Sequence, residues 1–294
     1  MPVSSSKPSS VGRAPGNLQT LLRFGAGTVF ISLTVSLLAL PWFDLSWWII
    51  FRRCVSIGAA VSLWLCLRAD RRSLRSYGLP VGAGLTADGA GPAHGAIGGA
   101  GKRQLRFGLL LGAGTLGAML LLGLATGACR IDITPDRLKL WRTVLGFLPA
   151  AMLVSVLEEL VFRGLILQSL LAFSKPLAVA ASSALYAIVH LKTPTPTMAT
   201  WLELGGLFLL GSVLAFSYFR TRQLMLAIGL HAVLAYGARV NKLILDIPDS
   251  PVSWFIGTSR LVNGLAGWLA LLVMGGMVWW WTQGAQGGAQ HDTA

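Results

Sequence analysis

Hydrophobic positions along the chain form long uninterrupted runs, and polar positions gather between them. Residues 24–43 carry no ionisable side chain, and at about 1.5 Å of rise per residue this run spans the roughly 30 Å hydrocarbon layer of a bilayer. Seven more runs follow, at about 49–67, 105–128, 143–172, 176–191, 201–219, 223–240 and 258–281. The pattern predicts an all-α polytopic membrane protein with about eight transmembrane helices. Neither an internal repeat nor the period-two alternation of a membrane β-barrel is present.

Shifts in composition divide the chain into segments. Residues 78–101 are almost entirely Gly, Ala, Pro and small polar residues, which cannot bury enough apolar surface to order themselves. In chain order we predict a disordered cytoplasmic tail (1–20), the first two transmembrane helices (21–77), a flexible linker (78–101), the third transmembrane helix and a loop (102–142), the helices of a functional core (143–245), a loop and the last transmembrane helix (246–283), and a disordered tail (284–294).

Composition and charge agree with a membrane protein. The 294 residues are 54% hydrophobic and 12% charged, whereas a soluble domain is roughly 25% charged, so a water-soluble globule is excluded. The net charge of +13 would suggest nucleic acid in a soluble protein. Here the basic residues cluster at the ends of apolar runs, as in cytoplasmic loops. We expect an integral protein of a bacterial inner (cell) membrane, with both termini cytoplasmic, the lipid bilayer as its surroundings and no nucleic-acid partner.

Two adjacent glutamates lie inside the apolar run at 143–172. A carboxylate at the bilayer centre costs at least about 2.5 kcal/mol, so it marks a candidate functional site. Glu159 and Arg163 are four residues apart, in the order that favours an ion pair on one face of a helix. Glu158 is rotated by about 100° from Glu159 around the helix axis, and it has no basic residue within one turn of the helix. The spacing therefore predicts a self-neutralised pair beside a carboxylate that needs another partner.

Two histidines, His190 and His231, also lie in apolar runs. Glu158 and His190 lie roughly 25 and 22 Å along the helix from Lys175, and His231 lies roughly 13 Å from Arg222. These distances approximate their depths from the cytoplasmic side. A tilted or kinked helix would bring the three groups together. The sequence therefore predicts one buried polar site made of a carboxylate and two imidazoles.

Three sequence blocks carry these residues: Glu158-Glu-Leu-Val-Phe-Arg163, Tyr186-Ala-Ile-Val-His190, and Gly211-Ser-Val-Leu-Ala followed later by Leu226-Ala-Ile-Gly-Leu-His231. In this order they resemble the motifs of the CPBP group (CAAX-protease and bacteriocin-processing, or Abi), a family of intramembrane glutamic endopeptidases. The resemblance covers about residues 143–240. It implies a membrane-associated protein or peptide as substrate, hydrolysed without a covalent intermediate and without a metal or other cofactor.

The resemblance also implies a role for each residue. Glu158 deprotonates a water molecule, His190 holds that water and shuttles its proton, and His231 donates a hydrogen bond to the developing oxyanion. Glu159 and Arg163 support the helix and tune the field around Glu158. Tyr186 stands where the family has Phe.

One position departs from the family's pattern, because Ala235 stands where the third block has Asn or Asp four residues after its His. An active enzyme would need another hydrogen-bond donor in its place. Asn263 is our candidate, since it is the only Asn or Gln between Thr258 and Val278 in the predicted last helix and a buried amide needs a partner.

The sequence is also compatible with other functions. With Ala235 the chain could be a non-catalytic membrane scaffold or chaperone, and a transporter is a further alternative. Two histidines and a glutamate could instead bind zinc with an open fourth position. Ser155 and Ser169 lie on the helix of the glutamates, which leaves a serine nucleophile to be considered. The sequence does not name the substrate or the oligomeric state.

Overall fold

A bundle of helices makes up the computed structural model, which describes residues 18–80, 94–190, 197–248, 253–257 and 263–291. Within these ranges the helices are α1 (Leu18–Ala39), α2 (Trp47–Ala69), α3 (His94–Ala125), α4 (Arg137–Glu159), α5 (Gln168–Leu170), α6 (Lys175–His190), α7 (Met198–Thr221), α8 (Met225–Ile244), α9 (Ser253–Ile256) and α10 (Leu265–His291). A π-helical segment at Leu160–Leu167 joins α4 to α5, and 3-10 turns lie at Leu40–Trp42 and Leu74–Tyr77. The all-α prediction is confirmed.

The predicted count of eight transmembrane helices is not confirmed. In the described part of the chain, six helices are long and apolar enough to cross a membrane: α1 with its 3-10 turn, α2, α3, α4 with its continuation to Leu170, α7 and α10. The 16 residues of α6 rise only about 24 Å, short of the roughly 30 Å hydrocarbon layer. The 20 residues of α8 include Arg239 and Lys242, which make the helix less apolar.

Several predicted boundaries differ from the structure. Helix α3 begins at His94, so the end of the predicted linker is helical. Extending an existing helix is favourable because each added residue contributes one backbone hydrogen bond. Helix α10 continues to His291, into the predicted carboxyl-terminal tail. Residues 1–17, 81–93 and 292–294, which belong to the predicted tails and linker, lie outside the described residues.

A short antiparallel ladder closes one end of the bundle. Strand β1 (Arg130–Ile131) follows α3 and pairs with β2 (Leu245–Asp246), which follows α8, in the register Arg130 to Asp246. Two further backbone hydrogen bonds extend this contact, from Asp132 N to Ile244 O at 3.0 Å and from Thr134 N to Leu243 O at 2.8 Å. The loop before α4 is thereby tied to the end of α8.

Glycine allows α3 and α8 to touch backbone to backbone. A Cβ on Gly108 would lie 2.5 Å from Leu226 O, and one on Gly229 would lie 2.6 Å from Leu105 O. Neither position has room for a side chain. Because Gly229 is two residues before His231, this contact fixes where α8 presents that histidine.

The chain is irregular where the glutamates lie. Helix α4 contains Pro149, which removes a backbone hydrogen bond, and it becomes π-helical directly after Glu159. All eight residues of the π-helical segment are buried. It packs at Gly164 against Tyr77, a fully buried side chain at the end of the loop after α2. A π-helical turn within an α-helix is frequent at functional sites.

Candidate active site

The two glutamates at the end of α4 occupy different environments. The Glu159 side chain is fully buried, whereas the Glu158 side chain is 21% exposed. The two carboxylates therefore differ in their access to water. Glu158 can meet a water molecule or a substrate, and Glu159 cannot.

Glu159 belongs to a buried chain of charged and polar groups. Arg163 Nη1 donates to Glu159 Oε1 at 2.8 Å, which confirms the predicted pair, and Arg163 Nη2 donates to the Gly211 carbonyl of α7 at 3.0 Å. His231 Nδ1 lies 2.8 Å from the same Glu159 Oε1. Because an ionised carboxylate only accepts hydrogen bonds, His231 Nδ1 is the donor. Together these three contacts link α4 and the π-helical segment to α7 and α8.

Glu158 faces both histidines. Its Oε2 lies 3.2 Å from His190 Nε2 and 3.5 Å from His231 Nε2. Oε2 is itself buried and has no well-aligned hydrogen bond within the described protein. A buried carboxylate oxygen in this condition is a natural site for a bound water.

In each imidazole, the hydrogen bond made by Nδ1 determines whether the Nε2 atom that faces Glu158 carries a proton. His190 Nδ1 lies 2.8 Å from the Tyr186 carbonyl oxygen, which only accepts, so Nδ1 carries the proton there as it does in His231. In the neutral rings both Nε2 atoms are therefore acceptors. They face a third acceptor, Glu158 Oε2. The site thus requires at least one further proton, shared among these three atoms or with a water between them.

Tyr186 adds a hydroxyl to this group. Its OH lies 3.4 Å from His231 Nε2, and its ring lies against His190, with the ring centroids 4.3 Å apart. The Arg163 guanidinium carbon lies 5.0 Å from the Tyr186 ring centroid, within cation–π range. Tyr186 is 2% exposed, so its hydroxyl is fixed in place by packing on several sides.

The structure thus brings together Glu158, Glu159, Arg163, Tyr186, His190 and His231, all of which the sequence singled out. Two contacts had no sequence signal of their own. The Gly211 carbonyl and the Glu159–His231 hydrogen bond depend on helices that meet only in the folded chain. Gly211 is close to Ser183 of α6, where a Cβ would come within 3.0 Å of the serine, so a small residue is required at this crossing.

Asn263 is placed differently from its prediction. It lies in the turn before α10, which begins at Leu265, and not inside a helix that begins at Thr258. Its Oδ1 would lie 2.8 Å from a Cβ on Gly257, a glycine with φ of +87°. Gly257 has a left-handed backbone, and in the described part of the chain α10 begins only after Asn263. Among the described residues, the polar contacts of Glu158, His190 and His231 do not include Asn263.

The residues that suggested a serine nucleophile or a metal site can also be located. Ser155 and Ser169 are buried, and neither hydroxyl has a hydrogen-bond partner in the described part of the chain, so neither is paired with a base. No group of three or more His, Cys, Asp or Glu side chains that could hold a metal ion occurs among the described residues.

A polar cluster of a carboxylate and two imidazoles, buried among apolar helices, is the kind of site that an intramembrane hydrolase needs. Comparison with known families agrees: the family model described as type II CAAX prenyl endopeptidase Rce1-like matches residues 140–236. This match covers about a third of the chain, includes all six clustered residues and confirms the resemblance to the CPBP group. At the level of the family, it supports a membrane-embedded protease. No curated protein and no solved structure matched the chain.

Proposed function

We propose that this protein is an intramembrane endopeptidase that hydrolyses a peptide bond with a water molecule activated by Glu158. The observation that carries the proposal is the position of Glu158 Oε2, buried without a well-aligned hydrogen bond and within 3.5 Å of the Nε2 atoms of both histidines. A general base must lie within hydrogen-bond reach of the water that it deprotonates. The partial exposure of Glu158 gives that water a route to it.

The reaction that this arrangement supports is general-base hydrolysis of a peptide bond. Glu158 takes a proton from water, and the water oxygen attacks the carbonyl carbon of the scissile peptide. His190 Nε2 receives the proton from Glu158 and passes it to the departing amide nitrogen as the C–N bond breaks. With the further proton on His231 Nε2 or supplied by the water, Glu158 is ionised and neutral His190 presents Nε2 as an acceptor, which supports this assignment.

The developing oxyanion needs hydrogen-bond donors, and Ala235 provides none. His231 can donate from Nε2 only as an imidazolium, a form that the Glu159 carboxylate at Nδ1 would stabilise. The Tyr186 hydroxyl is a neutral donor beside the same Nε2. We infer that the Tyr186 hydroxyl donates the hydrogen bond to the oxyanion that an Asn at position 235 would otherwise donate. Asn263 stays an alternative donor, with less geometric support.

Glu159 and Arg163 act as positioning residues in this proposal. Their buried ion pair gives His231 a charged acceptor on one side and holds α4 against α7 through the Gly211 carbonyl. A histidine held in one orientation and tautomer by a carboxylate is ready to act at its other nitrogen.

The proposed substrate is a membrane-associated protein or peptide, and the proposed location is a bacterial inner membrane with both termini cytoplasmic. To test the activity, purified protein in lipid vesicles is incubated with three tethered reporter peptides: one ending in a prenylated cysteine followed by three residues, one with a bacteriocin-type leader and one with a sorting tail. We expect cleavage of at least one reporter by the wild type. The Glu158→Gln variant should be inactive and should melt like the wild type in detergent.

Full cleavage by Glu158→Gln would contradict the mechanism. If none of the reporters is cleaved while Glu158→Gln raises the thermal stability of the protein, a non-catalytic scaffold would be favoured.

A further inference from the structure

A second polar feature lies at the end of the bundle away from β1 and β2. A cavity of about 340 Å³ opens between α6 and α7, lined by Lys175, Val179, Ser212, Phe216, Phe219 and Arg220. Lys175 is the first residue of α6, and Arg220 is next to the last residue of α7. The two cations therefore lie at the same end of two antiparallel helices.

The two cations at the mouth of the cavity each contact a neighbouring side chain. Arg220 Nε donates to the Thr282 hydroxyl of α10 at 2.8 Å. Lys175 Nζ lies 4.7 Å from the centroid of the Phe219 ring, within cation–π range. Among the described residues, neither cation forms an ion pair with a carboxylate. The described part of the chain thus leaves the positive charge at the mouth of the cavity without a carboxylate partner.

The walls change character with depth. Val179 lies one turn inward from Lys175, and Phe216 lies one turn inward from Arg220. Ser212 lies eight residues before Arg220, about 12 Å along the helix. A ligand that fits this profile has an anionic end at the mouth and an apolar part that extends inward between the helices.

The cavity lies at the basic end of the molecule. Arg222, Lys102 and Arg103 lie at this end too, where α3 and α10 meet through stacked Phe107 and Trp281 rings. A basic end of a helical membrane bundle faces the cytoplasmic leaflet, whose anionic lipids are attracted to it. Basic pockets between transmembrane helices on that side bind lipid headgroups.

We propose that the cavity between α6 and α7 is a binding site for one anionic phospholipid, with its phosphate between Lys175 and Arg220 and an acyl chain along Val179 and Phe216. The site is separate from Glu158 and its histidines, so this proposal does not depend on proteolysis. It predicts a lipid bound in defined stoichiometry, in addition to the lipids that surround the bundle.

The test is native mass spectrometry of the full-length protein released from nanodiscs of phosphatidylglycerol or phosphatidylcholine. We expect one phosphatidylglycerol to be retained, and phosphatidylcholine to be retained about tenfold less. The Lys175→Gln/Arg220→Gln variant should lose retention of phosphatidylglycerol by about tenfold or more, the effect expected of two headgroup contacts. The matched control is Lys102→Gln/Arg106→Gln, which removes the same charge at exposed positions of α3 and should keep the lipid.

Two additional measurements test the headgroup and the acyl chain separately. Lys175 is exposed, so Lys175→Gln alone tests the site without loss of the Arg220–Thr282 bond and should weaken retention while leaving the melting temperature unchanged. Excess inorganic phosphate should not displace the lipid, because it lacks the apolar part. Equal losses in the cavity and control variants, equal retention of the two lipids, displacement by phosphate, or displacement by a peptide with a free carboxyl terminus would each overturn the proposal.

Discussion

Removal of Arg163 tests the buried charge network on which the site depends. Arg163→Ala leaves the fully buried Glu159 carboxylate without its ion-pair partner and the Gly211 carbonyl without its donor. Loss of one partner of a buried pair costs about 3–5 kcal/mol, and an orphaned carbonyl adds about 1 kcal/mol. Since His231 Nδ1 still donates to Glu159, we expect a total near the lower end, about 4 kcal/mol.

Neutralising Glu159 as well should restore part of this loss. In the Arg163→Ala/Glu159→Gln variant no uncompensated charge remains, and the Gln oxygen can still accept from His231. We expect recovery of about 2 kcal/mol relative to Arg163→Ala. The measurement is the free energy of unfolding in a titration of mixed micelles with a denaturing detergent, in a double-mutant cycle. Arg106→Ala, on the exposed side of α3, is the control and should cost less than about 0.5 kcal/mol.

Additive effects of the two substitutions would refute this reasoning. If the coupling energy between Glu159 and Arg163 is below about 0.5 kcal/mol, the two residues do not act as a pair. The contact between Arg163 Nη1 and Glu159 Oε1 at 2.8 Å would then make no measurable contribution to the free energy of unfolding.

Three more predictions concern the oxyanion donor, the absence of a metal and the helix contact. Tyr186→Phe should lower kcat by about 10²-fold, as for the loss of an oxyanion donor, with little change in KM, and Ala235→Asn should partly restore it; a loss with Asn263→Ala and none with Tyr186→Phe would give the role to Asn263. Chelators should leave cleavage unchanged, whereas stoichiometric metal in purified protein that is lost together with activity would make His190 and His231 metal ligands. Gly229→Ala should destabilise the protein by about 1–3 kcal/mol in detergent melting, because its Cβ would meet the Leu105 carbonyl. The control is Gly114→Ala, which has nothing within 4 Å of its Cβ and should be neutral or slightly stabilising. Equal effects of the two substitutions would contradict the close approach of α3 and α8.

Much of the fold could be predicted from the sequence because apolar runs report directly on helices that meet lipid. The long spans α1, α2, α7 and α10 lie close to their predicted positions. The ends of helices were harder to predict. Hydropathy records neither the left-handed backbone at Gly257 nor the start of α10 at Leu265, which places Asn263 before the last helix.

The candidate site was predictable for a different reason. Ionisable groups are rare and costly in apolar helices, so Glu158, His190 and His231 can be identified from the sequence without knowledge of their contacts. What the sequence could not show was how they are connected. The π-helical segment after Glu159 and the bond from His231 to Glu159 belong to the folded bundle, and no local pattern encodes them.

The most direct test of the central proposal compares single-turnover cleavage by the wild type, Glu158→Gln and Glu203→Gln. Glu203 is the only glutamate in the chain besides the adjacent Glu158 and Glu159, so its variant is a chemically matched control outside the site. On a reporter that the wild type cleaves in vesicles, Glu158→Gln should be slower by about 10²- to 10⁴-fold, the usual contribution of a general base. Glu203→Gln should stay within about twofold of the wild type. A Glu158→Gln rate within a few-fold of the wild type, in protein that melts normally, would contradict the assignment of Glu158 as the base that activates water.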